Sequence, residues 1–139
     1  MLYLDTSVLA SYYCPEPDSE TVEKVMMQSK GYVISHLTEV ELVSAISRKV
    51  RENTLSSTDG NRIVAQFESH IKERFFQILP VEFEHYKMAK SWIAQFNTSL
   101  RTLDALHLAL AASHRLILFT SDQQLKESAR NVGIDVLTT

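Results

Sequence analysis

The sequence predicts an α/β domain in which helices cover both faces of a parallel sheet of five strands. Five short apolar runs alternate along the chain with segments of helical periodicity, which is the order of elements in a parallel sheet. The runs are continuous rather than alternating in polarity, as expected for strands buried on both faces. The 139 residues, 45% of them apolar and 22% charged, are typical of a globular protein, so we expect residues 1–139 to form a single domain.

The five apolar runs give the predicted strands, and most of their residues are Val, Ile, Leu, Phe or Tyr. The predicted strands lie at about 2–5, 31–35, 77–81, 116–120 and 134–138. None of these runs approaches the roughly 18 apolar residues of a membrane span, and no basic stretch precedes an apolar one at the N-terminus. The single Cys14 cannot form an internal disulfide, which suits a reducing compartment. We therefore expect a cytoplasmic protein.

The segments between the predicted strands carry helical patterns. Asp18 or Ser19 is predicted to cap the first of them, and Ser56 with Asp59 matches a capping box further on. The segment 36–76 holds two helical patterns in succession, which predicts a helical hairpin projecting from one end of the sheet. The apolar stripes are Val22, Val25 and Met26; Val40, Val43, Ile46 and Val50; Ile63, Val64, Phe67, Ile71 and Phe75; and Tyr86, Ala89, Trp92, Ile93 and Phe96.

Two later helices differ from these in character. Residues 103–114 are apolar nearly all round, so this helix is expected to be the most buried. A last helix at about 123–131 is predicted to end before Gly133, a residue type common just after a helix.

Four acidic residues, Asp5, Glu41, Asp104 and Asp122, each lie where an apolar run ends or a helix begins. If the runs are strands of one parallel sheet, these carboxylates meet at its carboxyl edge, where open α/β sheets bind ligands. Four acids in one crevice repel each other unless a cation neutralises them. The pattern therefore indicates a site for a hard divalent metal ion.

Each acid also has a structural explanation. Asp5 and Asp122 are both suited to cap the helix that follows them. Asp104 follows Thr102, a candidate N-cap, and an acid in the first helical turn is stabilised by the helix dipole. The expected position of all four acids at one sheet edge favours a functional site, because four independent structural roles would place them together only by chance.

Glu41 has the strongest structural alternative of the four. Thr38 and Glu41 match a capping box, in which the Glu side chain reaches back to a backbone N–H. Glu39 also projects nearer to the apolar stripe of this helix than Glu41 does. Spacing alone leaves the choice between the two glutamates open.

Other polar residues have both a functional and a structural interpretation. His107 follows Asp104 by one turn and could orient it, although a lone histidine on an apolar helix is usually a satisfied core residue. Arg48, Lys49 and Arg51 could contact phosphates or could form a solvated helix end.

Several acid-dependent chemistries fit the sequence poorly. A phosphatase that forms an aspartyl-phosphate needs a second Asp two residues after the first, where Ser7 stands. A phosphoacceptor receiver domain needs paired acids after the first strand and a Lys after the last, and neither is present. The chain holds only three Gly and no Gly-rich phosphate loop. Metal-assisted hydrolysis remains, in which carboxylates hold an ion that activates water.

Net charge permits a polyanionic substrate without indicating one. The formal charge is −3, from 17 acids and 14 basic residues. With the four candidate ligands set aside, 13 acids remain against the 14 Lys and Arg. A bound cation would offset part of the crevice's own charge.

Four acidic motifs stand in order along almost the whole chain. They are Leu4-Asp5-Thr6-Ser7-Val8-Leu9, Ser35-x-x-Thr38-x-x-Glu41-Leu42, Leu103-Asp104-Ala105-x-His107-x-Ala109 and Thr120-Ser121-Asp122. Together these motifs resemble those of PIN-domain ribonucleases. The length and the closing run Gly133-Ile134-Asp135-Val136-Leu137 are similar to those of the VapC toxins of type II toxin–antitoxin modules.

The resemblance implies a set of expectations. The fold would be a three-layer α/β/α sandwich with a central, mostly parallel five-stranded sheet. Asp5, Glu41, Asp104 and Asp122 would bind Mg²⁺ or Mn²⁺, with Glu41 rather than Glu39 as the helix acid. The hydroxyl groups expected to support these ligands are those of Thr6, Ser7 and Thr120.

The resemblance also implies an activity and partners. The protein would be an endoribonuclease toxin that acts on RNA, forms a homodimer and is held inactive by a cognate antitoxin protein. Two alternatives stay open: a PIN-type nuclease of RNA processing with no toxic role, and a non-catalytic, metal-stabilised module that binds RNA or a protein.

Overall fold

Five parallel strands form one sheet in the order β3-β2-β1-β4-β5 in the computed structural model, which describes residues 1–139. The strands are β1 (Leu2–Leu4), β2 (Tyr32–Ser35), β3 (Phe76–Leu79), β4 (Ile117–Thr120) and β5 (Val136–Thr138). The helices are α1 (Thr6–Tyr13), α2 (Ser19–Met27), α3 (His36–Arg51), α4 (Ser57–Lys72), α5 (Phe83–Ile93), α6 (Thr102–Ser113) and α7 (Gln123–Asn131). The predicted fold and all five predicted strands are confirmed, with strand ends shifted by one or two residues.

The sheet separates two hydrophobic cores, and successive residues of β1 point into different ones. Leu2 and Leu4 pack with helices α1 to α4, whereas Tyr3 packs with helices α5 to α7. This alternation is the two-residue period of a strand, and both faces are apolar because helices cover both. The molecule is therefore a three-layer α/β/α sandwich with β1 at its centre.

Helix α6 is the most buried helix, as its composition predicts. Every residue from Ala105 to Ala111 is buried, which leaves the helix without a solvent-facing stripe. The helix begins one residue earlier than expected, because Arg101 has extended backbone angles while Thr102 is already helical. Thr102 is thus not the N-cap of this helix.

The start of α3 differs from the predicted capping box. Ser35 is the N-cap, and its hydroxyl accepts a hydrogen bond from the backbone N–H of Thr38. The Thr38 hydroxyl accepts one in return from the Ser35 backbone N–H. The box therefore joins Ser35 to Thr38, and Glu41, three residues further on, is free of any capping role.

The N-cap position of α2 is also used in an unexpected way. Asp18 occupies that position, but its carboxylate makes no capping hydrogen bond to the helix. It accepts instead from the hydroxyls of Ser11 and Ser121, each at 2.7 Å. Asp18 thereby links α1 and α2 to the segment that follows β4.

The predicted helical hairpin forms as α3–α4, and both of its helices contribute residues to the core. Ile46 and Phe67 are buried in the core on the α1 side. Gly60 lets the two helices approach, since a Cβ at this position would lie 3.0 Å from Val50 Cγ2. Val40, by contrast, is 71% exposed, so the predicted stripe of α3 is only partly buried.

Two predicted stripe positions lie outside their helices. Helix α4 ends at Lys72, so Phe75 follows it and joins an aromatic cluster with Tyr12 and Tyr32. Phe96 follows α5, has a positive φ of 58° and is 90% exposed. Gly133, with a φ of 81°, stands after α7 as expected. None of the helices combines the length and apolar character that crossing a membrane requires.

Replacing Phe67 by Ala should lower the free energy of unfolding by about 3–5 kcal/mol, because it leaves a cavity where a fully buried ring packs. The matched control is Phe96→Ala, which removes an exposed ring and should change stability by no more than about 0.5 kcal/mol. Urea unfolding of both variants measures the difference. Similar losses would contradict the core described above.

Candidate active site

Asp5 lies at the carboxyl end of the central strand and is only 5% exposed. It is the N-cap of α1, and its Oδ1 accepts a hydrogen bond from the Val8 backbone N–H at 3.2 Å. The same oxygen accepts from Ser7 Oγ at 2.6 Å, and Oδ2 accepts from Thr120 Oγ1 at 2.6 Å. Asp5 thus has a capping role, and three donors fix its carboxylate.

The two hydroxyls beside Asp5 also hold the segment that follows β4. Ser7 Oγ accepts a hydrogen bond from the Ser121 backbone N–H at 3.0 Å. Thr120 Oγ1 accepts from the Asp122 backbone N–H at 3.0 Å. A short network of hydrogen bonds therefore joins Asp5 to the turn that carries Asp122.

Glu41 projects from α3 toward the same edge. Its Oε1 accepts a hydrogen bond from Thr6 Oγ1 at 3.1 Å and forms a short hydrogen bond with Nε2 of His107. Its Oε2 has no such partner. Glu39, the alternative glutamate, instead contacts His36 at the surface, 2.6 Å from Nδ1. Of the two glutamates, Glu41 is the one joined to the other site residues.

The position of His107 one turn after Asp104 suggested that it could orient this acid, but its hydrogen-bond partners are other residues. The ring is buried, with Nε2 facing Glu41 and Nδ1 lying 2.6 Å from the hydroxyl of Tyr3. The Tyr3 hydroxyl also lies 2.9 Å from Ser35 Oγ. Sequence reasoning missed Tyr3 and Ser35 because both belong to apolar strands.

Asp104 and Asp122 complete the acidic group. Asp122 is the N-cap of α7, and its Oδ1 accepts from the backbone N–H groups of Gln124 and Leu125. Asp104 is in the first turn of α6. Its carboxylate accepts no hydrogen bond, and its pKa responds to burial and to the charges of Asp122, His107 and Glu41. The charges of Asp122 and Glu41 therefore both act on Asp104, while hydrogen bonds through Thr120 link Asp5 to the turn that carries Asp122.

The acids of this group have contrasting acidities. Burial raises the pKa of Asp5 above its usual value, although the hydrogen bonds from Ser7, Thr120 and Val8 oppose the rise. Burial and then the neighbouring charge of Asp122 raise the pKa of Asp104. Burial also acts to raise the pKa of Glu41, but the hydrogen bond and charge of His107 outweigh it and hold that pKa below its usual value. The mutual repulsion of the carboxylates is what a bound cation would relieve.

The chemistry of the donors fits a hard divalent cation. Glu41 and Asp122 each commit only one carboxylate oxygen to hydrogen bonds within the protein. Asp104 commits neither. Carboxylate oxygens are the ligands that Mg²⁺ and Mn²⁺ prefer. As the side chains stand, however, no three His, Cys, Asp or Glu residues are grouped closely enough to hold a metal ion.

The other residues considered from the sequence have partners elsewhere. Lys49 forms an ion pair with Glu16, and Arg51 donates to Ser47 Oγ at 2.7 Å. Burial raises the pKa of the Cys14 thiol, which makes it a poor nucleophile. The partners of Lys49 and Arg51 therefore do not include any of the four acids.

The main cavities of the surface are not lined by the four acids. One, of about 490 Å³, lies along α3 and α4 beside Val40, Val43 and Glu68. Another, of about 340 Å³, lies at the opposite end of the sheet beside Arg115 and Asp135.

Comparison with known proteins gives a consistent result. The model of the PIN-domain family matches residues 2–131. Ribonuclease VapC46 of Mycobacterium tuberculosis is 25% identical in an alignment that covers 98% of the chain and 95% of that relative.

Solved structures share the fold at low sequence identity. FitAcB of Neisseria gonorrhoeae superposes with a TM-score of 0.76 at 22% identity, covering 99% of this chain and 96% of that one. VapC20 of Mycobacterium tuberculosis, described as a sarcin-ricin loop cleaving toxin, has a TM-score of 0.73 at 12% identity, covering 92% and 95%. VapBC2 of Rickettsia felis, bound to a DNA fragment from its promoter, has a TM-score of 0.72 at 17% identity, covering 100% and 99%.

Replacing Thr120 by Val should lower the free energy of unfolding by about 1–3 kcal/mol, because a buried carboxylate loses one of its donors. Thr54→Val is the control, since it removes an exposed hydroxyl bonded to a backbone carbonyl and should cost no more than about 0.5 kcal/mol. Urea unfolding at neutral pH compares them. Equal stabilities of the two variants would mean that Thr120 contributes nothing to holding Asp5.

Proposed function

The chain belongs to the PIN-domain family, and on this premise we propose that it is a metal-dependent endoribonuclease, the toxin of a type II toxin–antitoxin module. The observation that carries the proposal is the convergence of acids at the carboxyl edge of the sheet, where Asp122 and Glu41 act on Asp104 and Thr120 links Asp5 to Asp122. The names of the relatives support the activity, since one is a ribonuclease and another is described as a sarcin-ricin loop cleaving toxin.

The four acids would hold Mg²⁺ or Mn²⁺, and the hydroxyls of Thr6, Ser7 and Thr120 would hold the carboxylates. When bound, such an ion supplies Lewis acidity, which activates water and neutralises negative charge on a phosphodiester. No three of these groups are close together as they stand, which fits an ion held by one or two carboxylates with water completing its coordination. Asp104, which accepts no hydrogen bond, is the least restrained of the four.

The acids of the site differ in how firmly hydrogen bonds hold their carboxylate oxygens. Asp5 gives a fixed point, because three donors hold its two oxygens. Glu41 and Asp122 each present one held and one uncommitted oxygen. The open sheet edge admits a long strand, in agreement with the cavities lying elsewhere. RNA is the extended polyanion that the relatives' names suggest.

The proposed partners follow from the same relatives. Similar structures include toxin–antitoxin complexes from Rickettsia felis and Klebsiella pneumoniae. We propose that a cognate antitoxin inhibits this chain by placing Arg or Lys side chains near Asp5 and Asp104, because an acidic crevice attracts basic groups. We also propose a homodimer, in the cytoplasm, where such a module would meet its RNA target.

Purified protein should cleave single-stranded RNA in the presence of Mg²⁺ or Mn²⁺ and lose this activity in EDTA. Asp5→Asn, Glu41→Gln, Asp104→Asn and Asp122→Asn should each lower the cleavage rate by about 100-fold or more, beyond the usual effect of outer-shell changes. Asn and Gln keep the size and capping capacity of the acids while removing the charge a cation needs. Gel analysis of a labelled RNA measures the rates.

Asp59→Asn is the matched control, because this acid is in the first turn of α4 and pairs with Arg62 at the surface. It should cleave RNA like the wild type. Addition of Mg²⁺ should raise the melting temperature of the wild type and the control, and raise that of the four site variants less. Full cleavage in EDTA would refute the metal mechanism, and full activity of all four variants would exclude these acids as ligands.

Co-expression with a small protein encoded beside this one should abolish cleavage and yield a stable complex, while the chain alone should sediment as a dimer. Expression of the chain alone should arrest growth, and expression of the Asp104→Asn variant should not. Analytical ultracentrifugation and growth curves measure these effects. A nuclease that neither arrests growth nor responds to its neighbour would support the RNA-processing alternative instead.

A further inference from the structure

His107 connects a candidate ligand of the site to the central strand through two buried contacts. We infer that His107, itself held by Tyr3, is a positioning residue that fixes the orientation of Glu41. The inference rests on the proposed function of Glu41 as a ligand. It assigns a role to two residues that contact neither solvent nor substrate.

The His107 ring has no freedom to turn over. Nε2 faces the Glu41 carboxylate and donates to Oε1, while Nδ1 lies 2.6 Å from the Tyr3 hydroxyl. The ring is 2% exposed and packs against the Tyr3 ring at a centroid separation of 5.7 Å and an interplanar angle of 56°. A flipped imidazole would present carbon atoms to both partners, so the two contacts select one orientation.

Tyr3 anchors this arrangement to the sheet. It is fully buried in β1, the middle strand, and its hydroxyl also lies 2.9 Å from Ser35 Oγ. Ser35 ends β2 and caps α3, the helix that carries Glu41. The hydroxyl of Tyr3 therefore joins β1 to both α3 and α6. The distance between Glu41 and His107 is set by these elements and not by a flexible loop.

Glu41 needs such an anchor more than the three aspartates do. Its side chain has one more rotatable bond, and its carboxylate stands near the like charge of Asp104. His107 and Thr6 both act on Oε1, which leaves Oε2 without a hydrogen-bond partner in the protein. Without His107, only the weaker hydroxyl contact of Thr6 at 3.1 Å would hold the carboxylate.

A second buried histidine shows what a purely structural role looks like. His85 is also fully buried, with Nδ1 accepting from the Glu82 backbone N–H at 2.8 Å and Nε2 lying 2.8 Å from Ser113 Oγ. These contacts cap α5 and join it to the end of α6, and none involves a site acid. His85 is therefore a control that matches His107 in burial and in number of contacts.

The test compares His107→Leu with His85→Leu, using the whole chain free of partners. Mn²⁺ binding by titration calorimetry and RNA cleavage are measured beside the unfolding free energy. His107→Leu should weaken Mn²⁺ binding and cleavage by about 10–100-fold, the usual effect of losing an outer-shell partner. His85→Leu should lose stability but keep the wild-type Mn²⁺ affinity. Equal Mn²⁺ affinity and cleavage in the two variants would overturn the inference.

Two milder variants keep the test decisive if leucine prevents folding. Tyr3→Phe removes only the hydroxyl and should weaken Mn²⁺ binding in the same direction, by a smaller factor. His107→Gln retains an N–H donor near the position of Nε2 and should recover part of the affinity and cleavage. Wild-type Mn²⁺ affinity in Tyr3→Phe, or a Gln variant no better than Leu, would count against positioning.

A metal-free measurement separates this inference from the proposed function. In ¹⁵N-histidine-labelled protein, Glu41→Gln should shift the imidazole resonances of His107 strongly, whereas Asp122→Asn should leave them nearly unchanged. Unshifted His107 resonances in Glu41→Gln would overturn the contact itself. If Glu41→Gln shifts these resonances but the wild type neither binds Mn²⁺ nor cleaves RNA, the proposed function is overturned, and the positioning role with it.

Discussion

Burial of the Asp5 carboxylate is the constraint around which the site is arranged. An ionised carboxylate removed from water is strongly destabilising unless hydrogen bonds replace the lost solvation. The donors come from two directions, with Ser7 and the Val8 backbone N–H from α1 and Thr120 from β4. Helix α1 must therefore begin directly after β1, and β4 must lie beside β1. The register that pairs Leu4 with Phe119 brings Thr120 to the required height.

The remaining acids show how the fold tolerates repulsion near this point. His107 lowers the pKa of Glu41, so that carboxylate stays ionised with a compensating partner. Asp104 has no hydrogen bond and a pKa raised by burial and by Asp122. The repulsion between carboxylates therefore acts mainly on Asp104, the acid with no hydrogen bond to restrain its side chain. Such local conflict is typical of functional sites, where a charge is kept for a ligand at the expense of stability.

The fold was predictable because both faces of the sheet are covered. Strands buried on both sides are continuous apolar runs, and α6 is recognisable because it lacks a polar stripe. The caps were less predictable, since Ser35 with Thr38 and Thr38 with Glu41 fit the same spacing rule. Only the position of β2 decides which hydroxyl reaches the first turn of α3. Asp18 occupies the predicted N-cap position, but the role of its carboxylate was not predictable, because its partner Ser121 is 103 residues away in the chain.

The site network was hidden in the sequence because its members resemble core residues. Tyr3 stands in an apolar strand and His107 in the most apolar helix, so each suggests packing before function. Yet a buried hydroxyl or imidazole must find a partner, and no buried polar side-chain atom in this protein lacks one. Tyr3 and His107 are partners of each other, and their other partners, Ser35 and Glu41, lie toward the carboxyl edge of the sheet. The acids are at that edge, so the buried imidazole of His107 finds its second hydrogen-bond partner in Glu41.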